Sequence, residues 1–243
     1  CSSDLILRLP LESDVIFDRS GCPKCQTKIK WFDNIPVISY FFLRGKCRTC
    51  KEAISFQYPL IEMWHGALAY IFLSNWMSSS VAEIISNLSL FTISSIFTAH
   101  FIIDLRYHLL LDKLNIALLF PVMILVVQKG TWLESVIGAT FGILFPLAVT
   151  WIFYKLRGVI GLGGGDIKLF GIIGLLLGIE AVVMNIFVSC MLGSVITLFL
   201  MLIKKVGRDQ FIAFGPYIIV VASVQILAPE YFRKLITILI PYY

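Results

Sequence analysis

Charge is what this chain has least of. Only 14% of its 243 residues are Asp, Glu, Lys or Arg, against roughly 25% in ordinary soluble domains. Hydrophobic residues make up 58%, and mean hydropathy is +0.89. This composition excludes a soluble globular domain and leaves an integral membrane protein. The net charge of +5 is no nucleic-acid signature here, because its distribution along the chain matters more than its sum. No glycine-rich nucleotide loop follows a strand, so no cofactor-binding residues can be named. No internal repeat is visible, which counts against a repeat-built transporter.

What is present is a series of long apolar runs. About 17–25 apolar residues cross a bilayer, and the candidates are about 60–77, 84–103, 114–128, 132–154, 167–180, 182–203 and 211–228. A last stretch, 231–243, carries Arg233 and Lys234 and reads as interfacial. Segment 8–58 holds nine basic residues. Alternate connections add Arg106 and Lys113, then Lys155, Arg157 and Lys168, then Lys204, Lys205 and Arg208. The opposite connections hold only Lys129, Arg233 and Lys234. Basic residues stay on the cytoplasmic side, so residues 8–58 are expected there, with Asp104, Asp112 and Asp166 on the same face. The start, Cys1-Ser2-Ser3-Asp4, reads either as a lipidated Cys1 or as the remnant of a membrane helix. The charge bias favours the remnant.

Cysteine is also sparse, yet four of the six form two tight pairs, CPKC and CRTC: Cys22, Cys25, Cys47 and Cys50. Each C-x-x-C presents two thiolates from one turn, and two pairs complete a tetrahedral sulfur site whose default metal is Zn²⁺. Four cysteines leave no open coordination position, so the expected role is structural. The alternatives are two disulfides, disfavoured in a reducing cytoplasm, or unrelated thiols. Cys190, inside an apolar run, is expected to be a small buried hydrophobe.

Two aspartates stand at the edges of apolar runs. Asp104 ends one in FIIDLRYHLLLDKL, and Asp166 begins another in GLGGGDIKLF. Ionisable groups at such positions are functional candidates. Two carboxylates on one site share a proton, and that pair activates water against a peptide carbonyl, as in aspartic proteases. Gly163, Gly164 and Gly165 then permit dihedrals closed to other residues and let a second backbone approach. Each aspartate has a plainer alternative as a helix-end residue, with Asp166 a good N-cap. Asp112 is expected to cap a helix starting near Leu114, and Lys168 to be an interfacial lysine.

These stretches together resemble the type IV prepilin peptidases, membrane aspartic proteases with a G-x-G-D motif. RLP at 8–10, CPKC, DNIPVISYFFLRGKCRTC at 33–50, ISFQYPLIE at 54–62, IDLRYHLLLDKL at 103–114, GLGGGDIKLFGIIGLLLG at 161–178 and AFGPYI at 213–218 match in order along nearly the whole chain. The family usually has a complete helix before RLP, a proline where Leu111 stands, and GAWLG where this chain has GLLLG. The resemblance implies an all-α polytopic membrane protein of about seven to eight transmembrane helices with a small cytoplasmic four-cysteine zinc-binding domain. Residues 1–10 would be the remnant of the first transmembrane helix, 11–58 the cysteine domain and 59–243 the peptidase domain. It implies cleavage of the basic leader of prepilins and pseudopilins after a glycine, at the cytoplasmic face of the bacterial inner membrane. Methylation of the new N-terminus with S-adenosylmethionine follows. Asp104 and Asp166 become the catalytic pair, Gly163 and Gly165 the motif glycines, and the four cysteines the zinc ligands. The implied partners are prepilins and the lipid bilayer, and no nucleic acid. Two alternatives remain: an inactive paralogue that binds pilins, and an ion-coupled transporter with a zinc-ribbon loop.

Overall fold

The structure is a computed structural model that describes residues 21–22, 24–25, 27–159, 161–203 and 213–239. The expected helix remnant at 1–10 lies outside the described residues. The chain divides into two compact units, Cys1–Ser78 and Ser79–Tyr243. Their described parts contain helices, turns and two isolated antiparallel bridges, and no strand.

In the first unit, the bridges Gly21↔Lys28 and Lys46↔Ala53 each close a loop around one cysteine pair. Between them lie a 3-10 turn, Trp31–Asn34, and a five-residue helix α1, Ile38–Phe42. Helix α2, Gln57–Leu73, follows. Glu62 on α2 accepts the Val37 backbone N–H (2.8 Å), which ties the loop to the helix.

The second unit is a helical bundle: α3 Val81–Tyr107, α4 Asp112–Lys129, α5 Trp132–Arg157, α6 Gly164–Leu177, α7 Ile179–Leu202, α8 Gly215–Leu227 and α9 Pro229–Leu239. Local chemistry sets the boundaries. A capping box starts α3: Ser80 Oγ accepts the Glu83 N–H, and Glu83 accepts the Ser80 N–H. Gly130 and Gly158 end α4 and α5 in the left-handed region, where glycine carries no Cβ penalty. Pro216 sits in the first turn of α8, where its missing N–H costs nothing. Inside the helices, hydroxyls fold back on their own backbone: Thr92, Ser95, Thr98 and Thr140 each donate to the carbonyl four residues earlier. That hides them from an apolar surround.

Helices cover most of the described part of each of the seven apolar runs. Three of these helices, α3, α5 and α7, are long and apolar enough to cross a membrane. Helix α4 carries Asp112, Lys113 and Lys129 within its 18 residues, and α2, α6 and α8 are shorter. Half of the apolar window of α3 is buried in the bundle, against 17% for α5 and 28% for α7. The outer faces of α5 and α7 are therefore left largely uncovered by the described part of this unit. Cys190 is exposed on α7 rather than buried as expected, because the bundle covers only part of the apolar run around it.

The core of this unit gathers Ile93 and Phe97 from α3, Leu118 and Val122 from α4, Leu169, Phe170 and Ile173 from α6, and Ile218, Ile219 and Ala222 from α8. Helix α6 is central. Eight of its 14 residues are buried, and it packs most extensively on α5. The contact is a seam of glycines. A Cβ on Gly138 would collide with the Gly174 carbonyl, and one on Gly142 with the Phe170 carbonyl. Gly138 and Gly142 form a G-x-x-x-G spacing on α5, the pattern that lets membrane helices approach to backbone contact.

Candidate active site

Asp104 lies in the last turn of α3, one turn before the left-handed cap His108, whose N–H donates to the Asp104 carbonyl oxygen (2.9 Å). Its side chain is 5% exposed, and Oδ2 has no hydrogen-bond partner among the described residues. Gly215, at the start of α8, lies against that oxygen: a Cβ there would fall 2.5 Å from Oδ2. The positive end of α8 thus faces a carboxyl, a favourable arrangement.

Asp166 is the third residue of α6. It is not the N-cap; Gly163 is, with no side-chain cap. Asp166 instead reaches back to the Gly163 backbone N–H, as an acidic third residue does in a capping box. Asp166 is close enough to Asp104 to feel its charge. The connection His108–Leu111 joins the parts. Leu110 lies against both Gly165 and Gly215, whose Cβ atoms would come within 2.7 Å and 3.2 Å of it. The end of α3 and the starts of α6 and α8 therefore converge on one place.

Of the two roles expected of the three glycines, unusual dihedrals are not used: none has positive φ, which among the described glycines occurs at Gly45, Gly130, Gly158 and Gly178. Close approach is what distinguishes them. A Cβ on Gly163 would fall 3.0 Å from Asp166 Oδ2, and one on Gly165 2.7 Å from Leu110 Cβ, while Gly164 has nothing within 4 Å. The neighbour of Gly165 is the chain's own loop. Asp112 is the first residue of α4, after an N-cap at Leu111, rather than a cap for Leu114. Lys168 pairs with Asp112 (2.7 Å) on an exposed surface, so it is committed to neither Asp104 nor Asp166.

The four cysteines of the first unit come together, all sulfurs within 4.8 Å of one another. The two loops repeat one geometry. Cys22 N–H donates to Thr27 O (3.1 Å) and Cys47 N–H to Glu52 O (2.8 Å), five residues on in both. An exposed Lys24–Glu52 ion pair links the loops. Cys22 Sγ and Cys50 Sγ are 3.7 Å apart. That is far beyond the roughly 2 Å of a disulfide, and it fits the edge of about 3.8 Å in a tetrahedron with sulfurs about 2.3 Å from zinc. The thiols are also differentiated. Hydrogen bonds from the Thr27 side chain and backbone pull Cys25 down to about 6. Cys50 is pushed up to about 12: the Glu52 backbone N–H pulls it down, and desolvation and the other three thiols overcome that. The donor set fits a metal that takes four thiolates.

Comparison with known proteins places these features. The bacterial peptidase A24 N-terminal domain matches residues 2–76, and the type IV leader peptidase family matches residues 90–198. The prepilin leader peptidase/N-methyltransferase of Burkholderia pseudomallei is 34% identical over 221 residues, 90% of this chain and 69% of that protein. Those of Neisseria gonorrhoeae and Aeromonas hydrophila are 33% and 32% identical, covering 86% and 88% of this chain and 73% of each relative. The chain belongs to the type IV leader peptidase family. No solved structure matches it significantly. Within this family member, Asp104 is in the matched segment 90–198 together with Asp166, and the cysteines are in the matched segment 2–76.

The sequence reading missed two features near the site. Gly138 and Gly142 position α6, and their four-residue spacing was the available signal. His100 and Asn115 are fully or nearly fully buried beside α3 and α4. A histidine four residues before Asp104 inside an apolar run was the sign of them.

Proposed function

We propose that this chain is a membrane aspartic endopeptidase that removes the leader of prepilins or pseudopilins, and that it then methylates the new N-terminus. One observation carries the peptidase reading: Asp104 and Asp166, 62 residues apart in sequence, converge at helix ends around a buried carboxylate oxygen that has no partner among the described residues. An aspartate pair there can share one proton. The ionised member takes a proton from water as it attacks the scissile carbonyl, and the neutral member donates to the carbonyl oxygen. An ion-path reading expects carboxylates near the bilayer midplane; these stand in the last and first turns of their helices.

All seven apolar runs are read as inserted in the bilayer. The basic-residue bias puts residues 8–58 and the connections carrying both aspartates on the cytoplasmic face of the inner membrane. The test is incubation of the full chain with a prepilin in detergent or bilayers. Cleavage after the leader glycine is expected, and an unchanged substrate would sink the reading. Gly215→Ala should lower the cleavage rate by about a hundredfold, since its new methyl meets Asp104 Oδ2; a parental rate would remove Gly215 from the site.

The four-cysteine cluster is read as a structural zinc site held by Cys22, Cys25, Cys47 and Cys50, and elemental analysis should return one zinc per chain. In small modules of this kind, metal-binding energy is folding energy, so a chelator should unfold the loops that the two bridges close. Acid should do the same. Metal binding needs deprotonated thiolates, so protons compete with the metal and the module loses stability as pH falls. A module whose structure survives both chelation and pH 5 would refute the zinc assignment. S-adenosylmethionine supplies the methyl group when bound; its binding residues are not assigned.

A further inference from the structure

Five buried polar side-chain atoms near the C-terminal end of α3 have no hydrogen-bond partner among the described residues. They are both ring nitrogens of His100, both amide atoms of Asn115, and Oδ2 of Asp104. His100 is 0% exposed, Asn115 3% and Asp104 5%. Elsewhere among the described residues of the unit, the one other such atom is Asn185 Oδ1, whose amide nitrogen is bonded. Ser89 donates to the Ile85 carbonyl (2.8 Å), Ser189 to that of Asn185 (2.6 Å), and Asn185 Nδ2 to Gln225 Oε1 (2.9 Å).

Two of the three side chains are on α3 and one is on α4. Residues four apart share a helix face, so the His100 ring and the Asp104 carboxyl stand one turn apart on the same side of α3. Asn115, near the start of α4, meets the ring from the neighbouring helix. The chemistry is complementary: imidazole offers a donor and an acceptor, the amide offers both, and the carboxylate accepts. No hydrogen bond of ordinary geometry joins any two of them. Buried polar atoms in folded proteins are nearly always partnered. Water fills that role where two to four polar atoms face one space.

We propose that His100 and Asn115 hold water between α3 and α4, and that this water orients Oδ2 of Asp104. His100 is then a positioning residue of the peptidase reaction. The inference rests on the catalytic reading of Asp104 and adds what sits behind it. A carboxyl pinned through Oδ2 keeps Oδ1 in one direction for the attacking water, which favours turnover rather than substrate binding.

The experiment uses the full chain with His100→Leu, His100→Gln and Asn115→Leu. With a prepilin as substrate, His100→Leu should lower kcat roughly tenfold to a hundredfold and leave KM within about twofold. His100→Gln, which keeps a donor and an acceptor, should recover most of the rate. Parental kcat in His100→Leu overturns the proposal, and so does equal loss in the Leu and Gln variants. A second readout needs no turnover. The carboxyl band that Asp104→Asn removes from the infrared difference spectrum should shift in His100→Leu and stay in place in His100→Gln. An unmoved band overturns the proposal. If the parent does not cleave but the band shifts as expected, the water-held pocket stands and the peptidase reading alone fails. Should His100→Leu not fold, the same two readouts on Asn115→Leu decide.

Discussion

Asp104→Asn and Asp166→Asn should each reduce prepilin cleavage by about 10³-fold or more, with the protein still folded. The magnitude follows from removing a group that moves a proton in the transition state, which contributes about 10²–10⁴-fold. Asparagine keeps the size of aspartate and part of its hydrogen bonding, so the loss reports chemistry rather than packing. It should appear in kcat with KM little changed, because an interaction made only in the transition state is lost. The double variant should be no worse than either single one, since residues that act as a unit are not additive. Asp112→Asn is the internal comparison. Its partner Lys168 is exposed, with side-chain exposures of 63% and 57%, and such surface pairs contribute about 0–1 kcal/mol. Cleavage by Asp112→Asn within about twofold of the parent is expected. Cleavage that survives in both Asp104→Asn and Asp166→Asn would end the aspartate-pair mechanism.

Gly142→Leu should unfold or rearrange the second unit even though it touches neither carboxyl. Its side chain would be driven into the Phe170 carbonyl, and the same change at Gly138 into that of Gly174. Both obstacles are backbone, which cannot rotate away. Inserting extra carbons into a well-packed core costs about 1–3 kcal/mol, and four carbons against fixed backbone should reach the upper end or exceed it. Thermal unfolding in detergent measures this, with Gly142→Leu expected to fall well below the parent. Activity should go with it, because α6 carries Asp166 and is positioned by this seam. Gly164→Ala is the control: nothing lies within 4 Å of its added methyl, and stability and cleavage should stay near the parent's. A stable, active Gly142→Leu would show that α5 and α6 are not held by the seam.

The most legible residues were those whose chemistry is rare in their surroundings. Asp104 and Asp166 interrupt apolar runs, and the paired cysteines repeat a spacing that only a few structures use. The helices were legible for the same reason, since long apolar runs have few ways to satisfy their backbone except by coiling. What the sequence hid was which partner each residue meets. The glycines before Asp166 suggested unusual dihedrals, but the helix begins there with ordinary ones, and the requirement at Gly165 comes from Leu110 on another segment. Cys190 suggested burial, because an apolar run looks the same facing lipid or protein. His100 carried no obvious meaning until α4 brought Asn115 beside it.

From the sequence alone, this protein is a helical membrane protein with two carboxylates at helix ends and a four-thiol cluster. Residue type and local spacing suffice for that, because solvation cost and turn geometry are local. Tertiary structure decided the rest. It brought Asp104 and Asp166 together across 62 residues, gave Lys168 to Asp112, set α6 against α5 at backbone distance, and left Oδ2 of Asp104 buried beside Gly215. Those are contacts between distant segments, and they depend on how side-chain volumes fit once the helices pack.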